Sequence, residues 1–229
     1  MTKLTADERS ACGGTLVPPV LASGFAVPTG ADYVCLGCGR AYRWTTSNPP
    51  TLTVFHTRHD VQFYSDDAVF FDRATRFVAP AVNAGRGVIV LATPYHREGL
   101  VQRLRSEGVN IEAAIRQGTY LSLDASDALS SITIERLPDG PLFRQTLADL
   151  IGSVAIAAKE PRVAVLGECV GLLCAEGNPD AAIALEQTGN ELLAAHDLDI
   201  LCAYPLRCCQ PHDRTFQRIC AEHGGVEVR

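Results

Sequence analysis

Between His59 and Leu100 the sequence changes period twice. It reads His59-Asp-Val-Gln-Phe-Tyr-Ser-Asp-Asp67 and continues as a helical run. It then gives Gly85-Arg-Gly-Val-Ile-Val-Leu-Ala-Thr-Pro-Tyr-His96. The pattern predicts a strand, a helix and a second strand, with polar groups gathered where both strands end. Such a unit often holds a nucleotide, yet the glycine-rich phosphate loop and its lysine are absent. The chain has two lysines, Lys3 and Lys159, and neither lies in a Gly-Lys-Ser/Thr context. A site position kept without its usual chemistry favours sensing over turnover.

The alternation continues along the chain. Val61–Tyr64 reads as a strand, and Asp66 and Asp67 can cap a helix running to about Asn83. Val88–Ala92 is a continuous apolar strand, and Arg97–Glu107 a helix stopped by Gly108. Thr119–Leu123 is a strand followed by a helix from about Ala125. Asp139-Gly-Pro opens a helix over Leu142–Lys159, and Arg162–Gly167 is a buried strand. Pro179 starts a helix to about His196. Leu198–Tyr204 is a strand, Asp213–His223 a helix, and Val226–Val228 an edge strand. Strands alternating with helices predict an α/β fold, a mostly parallel sheet covered on both faces. Ligands in such sheets bind at the carboxyl ends of the strands. That edge would present Tyr64–Asp67, Thr93–His96, Asp124, Gly167–Glu168 and Tyr204.

The 229 residues allow one α/β domain and a small appendage. A net charge of −6 argues against broad electrostatic binding to nucleic acid, which needs a basic face. Nine cysteines follow no disulfide-scaffold spacing, and the first ten residues are polar rather than a secretory leader. Cys169, Cys174 and Cys202 sit in apolar runs, where a reduced cysteine acts as a small hydrophobe. A reducing cytoplasm is the expectation. The longest apolar run, Val163–Ala175, is too short to cross a bilayer and is broken by Glu168.

The motifs His59-x3-Phe63-Tyr64, Gly85-x-Gly-Val-Ile-Val, Ala92-Thr93-x2-His96, Leu104-x3-Gly108, Leu123-Asp124-Ala125, Gly167-Glu168, Leu185-Glu186-x3-Asn190 and Leu201-Cys202-Ala203-Tyr204 occur in this order. Together they resemble the MEDS domain, over roughly residues 55–225. The resemblance implies a sensory domain, as in dichloromethane-responsive repressors and some methanogen and methylotroph signalling proteins. It implies a degenerate relative of RecA/KaiC-type ATPases that senses small hydrocarbon derivatives or related cues. Such domains are usually coupled to a helix-turn-helix or a histidine kinase, neither of which is expected in this sequence.

Residues 1–50 differ in character, being rich in Gly, Pro and Cys and ending in Ser47-Asn-Pro-Pro50. Cys35-Leu-Gly-Cys38-Gly39 is the turn of a zinc ribbon, two thiolates on one tight turn with a glycine after them. Ala11-Cys12-Gly13-Gly14 looks like the other knuckle, but Arg9 stands where its second cysteine would be. Zinc on Cys12, Cys35 and Cys38 would need a fourth ligand such as His56 or a water. The alternative is an eroded ribbon that keeps its β hairpin without metal.

Each candidate site residue has a plainer reading beside it. His59 and His96, taken to edge two neighbouring strands, could donate to a ligand carbonyl, phosphate or halide, or could cap strand ends. Thr93 is a pocket hydroxyl or a helix cap. Glu168 could act as a base or metal ligand, or pair with an arginine. Phe63 and Tyr64 alternate across their strand, so one faces the core while the other can line the pocket. Asp124 and Tyr204 complete the expected ligand set. Glu186 and Asn190 lie four apart and can address one partner, though docking their helix onto the sheet is the plainer and preferred reading. Cys208 and Cys209, near His212, are a redox pair or incidental thiols.

The Gly-x-Ser-x-Gly, His-Glu-x2-His and Gly-x-Gly-x2-Gly motifs are missing. The expectation is therefore a cytoplasmic sensory or regulatory protein, not an enzyme, that binds a small-molecule ligand and signals through a protein partner. No nucleotide cofactor, membrane or nucleic-acid partner is expected. The alternative is a degenerate RecA-like nucleotide-binding protein or ATPase, with Arg58 or Arg97 in place of lysine. A third reading makes Arg40 and Arg43 of the ribbon a nucleic-acid surface.

Overall fold

A computed structural model of the chain describes residues 15–18, 33–35, 41–44, 52–55, 58–134, 137–211 and 213–229. The chain divides into two units, Met1–Thr57 with Leu193–His196, and Arg58–Leu192 with Asp197–Arg229. In the first, β1 (Leu16–Val17), β2 (Tyr33–Cys35), β3 (Ala41–Trp44) and β4 (Leu52–Phe55) form an antiparallel sheet in that order. Pro49 and Pro50 therefore fall between two paired strands. Cys12, Cys38 and His56 of the expected zinc site lie outside the described residues, and of Cys35 only the backbone, in β2, is described.

The second unit opens with β5 (Arg58–Tyr64), α1 (Asp67–Asn83) and β6 (Arg86–Ala92). Asp66 caps α1 by accepting from the Val69 N–H at 3.0 Å. Phe70, Ala74, Phe77, Val78 and Ala81 form its buried stripe. Gly85 follows the helix at φ +71°, a left-handed backbone that favours glycine. Next come α2 (Pro94–Ser106), α3 (Ile111–Gln117), β7 (Tyr120–Asp124) and α4 (Ala125–Ser131). A small hairpin of β8 (Thr133–Ile134) and β9 (Leu137–Pro138) precedes α5 (Gly140–Ala157), β10 (Glu160–Gly167), α6 (Cys169–Ala175) and α7 (Pro179–Ala195). The chain continues with β11 (Leu198–Pro205), α8 (Arg214–Ala221) and β12 (Gly225–Val228).

Six strands form one sheet in the order β12-β5-β11-β10-β6-β7, and every pairing in it is parallel. One face carries Tyr64, Val88, Val90, Ala164, Leu166, Leu201 and Ala203 against the buried stripes of α1, α2 and α3. Fully burying each large apolar side chain contributes about 1.5–3 kcal/mol. The opposite face carries Val61, Phe63, Ile89, Val165, Ile200, Cys202 and Tyr204, with α5, α7 and α8 over it. Among the described residues no helix is long and apolar enough to cross a membrane.

Candidate functional site

The sheet order places a divergence between β6 and β10. From β6 the chain runs through α2 toward β7, whereas from β10 it runs through α6 and α7 toward β11, in the opposite direction. A crevice opens at the carboxyl ends of strands where connections part in this way. Thr93 and Glu168 are the first residues after these two strands. The Thr93 N–H donates to Glu168 Oε2 at 2.9 Å, while the Thr93 hydroxyl accepts from the His96 N–H and caps α2.

Glu168 is buried and fully engaged. Its Oε1 accepts from the Tyr64 hydroxyl at 3.2 Å and faces His96 Nδ1 at 2.7 Å. The other ring nitrogen of His96 faces Asp67 Oδ1 at 3.2 Å, and Phe70 stacks on the imidazole with centroids 3.8 Å apart. A carboxylate at each nitrogen favours the imidazolium, in which both nitrogens donate. Burial alone would lower the His96 pKa, but the hydrogen bond and charge of Glu168, with Asp67 behind them, raise it above 6.5. Burial and the Glu168 charge push the Tyr64 phenol up, so it stays a neutral donor. This network walls a cavity of about 210 Å³, with the exposed Tyr95 and Arg207 also lining it.

A second polar cluster lies on the opposite face of the sheet. Glu186 of α7 is completely buried; its Oε1 accepts from the Tyr204 hydroxyl at 2.6 Å and its Oε2 from the Cys202 thiol at 3.1 Å. The same Oε2 stands 3.1 Å from His59 Nε2 and 3.3 Å from His223 Nε2. Burial opposes ionisation of Glu186, but the His223 and His59 imidazoles beside it outweigh that and hold the carboxyl well below the usual range. Burial and the nearby Glu186 charge push the Cys202 thiol well up.

A family model described as MEthanogen/methylotroph, DcmR Sensory domain (MEDS) matches residues 58–223. The chain belongs to the MEDS family. A KaiC-like protein from the hyperthermophilic archaeon Pyrococcus horikoshii OT3, known as a crystal structure, is similar at a TM-score of 0.47 and 15% identity. That similarity covers 74% of this chain and 70% of that one. No curated protein matches the sequence.

In this MEDS domain the residues expected to share one pocket separate into a carboxyl-edge cavity and a second polar cluster. Tyr64, Thr93, His96 and Glu168 do share the carboxyl-edge cavity. His59 does not: β5 begins at Arg58, so His59 sits at the amino end of its strand. Nor are the strands of His59 and His96 neighbours, because β11 and β10 lie between β5 and β6. Phe63 and Tyr204 point to the face opposite Tyr64, where their rings stack at 5.6 Å. Asp124 caps α4 by accepting from Ser126 N and Asp127 N, the plainer role for an acid at that position. Glu168 pairs with a histidine rather than an arginine. Glu186 and Asn190 do address one partner, since Asn190 Oδ1 lies 2.8 Å from His59 Nδ1.

Two members of the second cluster escaped the sequence reading. Cys202 passed as a core hydrophobe within an apolar strand, and His223 as the last residue of a helix. The available signal was the acid itself, since Glu186 follows Ala-Ile-Ala-Leu on an apolar helix and a fully buried carboxylate must be paired. Cys209 is buried and Cys208 half-buried, while His212 lies outside the described residues.

Proposed function

We propose that this MEDS domain senses a small molecule in the carboxyl-edge cavity beside Glu168 and His96, and relays occupancy to a protein partner without turning the ligand over. The observation that carries this reading is the Thr93–Glu168 bridge across the divergence of β6 and β10, with the cavity opening directly on it. A ligand entering there competes for groups that already tie β5, β6, β10 and the first turns of α1 and α2 together. Binding is thereby coupled to the packing of several elements at once. The cavity of about 210 Å³ is smaller than the ~300–1,000 Å³ typical of drug-sized ligands, which favours a compact guest such as a hydrocarbon derivative. Glu168 already accepts from Tyr64, His96 and the Thr93 backbone, an arrangement that positions donors rather than freeing a base.

Thermal denaturation of the full chain with dichloromethane, methanol, and ATP with magnesium, run in parallel, tests the reading. Saturable stabilisation by one of the small organic probes, reduced at least tenfold in affinity by Glu168→Gln, is the expected result. Native mass spectrometry on protein purified from its host provides the independent search for a retained ligand. Saturable stabilisation by ATP accompanied by hydrolysis would overturn the sensor reading in favour of a residual nucleotide enzyme.

A further inference from the structure

We infer that His59, Glu186, Cys202 and His223 form a four-ligand site for a divalent transition-metal ion, zinc by its chemistry. The four donor atoms, two imidazole Nε2, a carboxylate Oε2 and a thiol Sγ, all lie within 4.8 Å of one another. Four of their separations are 3.1, 3.1, 3.3 and 3.5 Å. A tetrahedral ion with bonds of about 2.0–2.3 Å to N, O and S has donor–donor edges of about 3.3–3.7 Å. These four edges match what such an ion needs within a few tenths of an ångström, and the other two lie within 4.8 Å.

Proton placement argues the same way. Asn190 uses its Nδ2 as donor to the Glu222 carbonyl at 3.2 Å and carboxylate at 3.1 Å, which turns its Oδ1 toward His59 Nδ1 as acceptor. His223 Nδ1 faces the Ile219 carbonyl at 2.7 Å. Both imidazoles therefore carry hydrogen on Nδ1, and both direct Nε2 at the same carboxylate oxygen. In the neutral rings that nitrogen is a lone pair. Two imidazole lone pairs would then face Glu186 Oε2, to which only the Cys202 thiol donates, unless two buried imidazoliums or one cation occupied the cluster. His223 Nε2 has no hydrogen-bond partner although its side chain is fully buried.

A metal ion satisfies every one of these atoms. Holding a ligand histidine by a carbonyl on its second nitrogen is also the usual supporting contact of metal sites. On binding, the Cys202 thiol releases its proton to solvent and coordinates as thiolate, while Tyr204 keeps its hydrogen bond to Glu186 Oε1. Two imidazoles, one thiolate and one carboxylate suit zinc among the common divalent ions, and four protein donors leave no open position, which assigns a structural role. The ion would tie β5, α7, β11 and the turn after α8 into one knot. This inference does not depend on the carboxyl-edge cavity, which shares none of the four residues.

The test uses the full chain carrying Cys12→Ser, Cys35→Ser and Cys38→Ser, so that the amino-terminal thiolates cannot contribute. Cobalt(II) titration should give one ion per chain, with the strong visible bands of four-coordinate cobalt, a near-ultraviolet thiolate charge-transfer band, and displacement by zinc. Cys202→Ser, nearly isosteric, should abolish the charge-transfer band in protein whose circular dichroism is unchanged. Asn190→Ala, which frees His59 without removing a ligand, should weaken zinc binding about 10- to 100-fold. Failure to bind cobalt or zinc, binding with six-coordinate spectra, or a charge-transfer band that survives Cys202→Ser would each overturn the site. Metal present in the native chain but lost with Cys12→Ser, Cys35→Ser and Cys38→Ser would overturn it equally.

Discussion

His96 is held between two acids from different elements, Asp67 of α1 and Glu168 after β10, with the Tyr64 hydroxyl sharing Glu168. Its raised pKa has a definite sign. A histidine whose pKa is higher folded than unfolded contributes stability that is fully present below the unfolded value, near 6.5, and is lost as pH rises through the folded value. The His96 contribution to unfolding free energy should therefore fall as pH is raised from about 6.5 through the higher folded value. Denaturant titrations of wild type and His96→Gln across that range isolate the contribution. The difference between the two should shrink with rising pH, and a difference that grows would contradict the imidazolium. At the same scale, Asp66→Ala removes the α1 cap and should cost about 1 kcal/mol in urea unfolding. Asp66 was legible as a cap because a short acid preceded an apolar helical stripe. Cys202 was not legible as a polar partner, because nothing local marks a strand cysteine as facing a carboxylate 16 residues earlier.

Among the elements, α6 lies tight against β11 at Gly171. A Cβ at Gly171 would collide with the carbonyl oxygen of Ala203 and come within 3.2 Å of Pro205 Cδ. Gly171→Ala must push α6 off β11, with an expected penalty of about 1–3 kcal/mol. For a protein of this size that lowers Tm by about 2–4 °C per kcal/mol, measurable by scanning calorimetry. Gly171 also lines the carboxyl-edge cavity, so the same variant should alter ligand stabilisation. The sequence hid this helix: Val163–Ala175 reads as one apolar run, and Glu168 makes no side-chain cap to announce a helix start. It hid α3 for another reason, since seven residues carry too few turns for a periodic signal. The longer elements were plain because period two and period 3.6 alternate cleanly from β5 onward. The order of the strands was not, because periodicity says nothing about which strands pair, and so His59 and His96 were misjudged as neighbours.

Across the whole molecule, the six-stranded sheet and the helices on both of its faces, apart from the last residues of α7, lie within Arg58–Leu192 and Asp197–Arg229. The family match spans nearly the same stretch, residues 58–223. A fragment of residues 58–229 should therefore unfold in one cooperative transition, monitored by circular dichroism and fluorescence together. Separated transitions for the two probes would show that residues before 58 complete the core. Within this unit the first strand, β5, pairs only with β11 and β12, the last two strands of the sequence. During synthesis it must wait, unpaired on both edges, for more than a hundred residues to leave the ribosome. Strands β6, β7 and β10 can pair meanwhile, whereas β5 can be enclosed only once β11 and then β12 have emerged. A chain released early, or stalled before β11, would carry β5 with both edges open and Val61, Phe63 and Tyr64 uncovered, and such a strand is a site for chaperones or for aggregation.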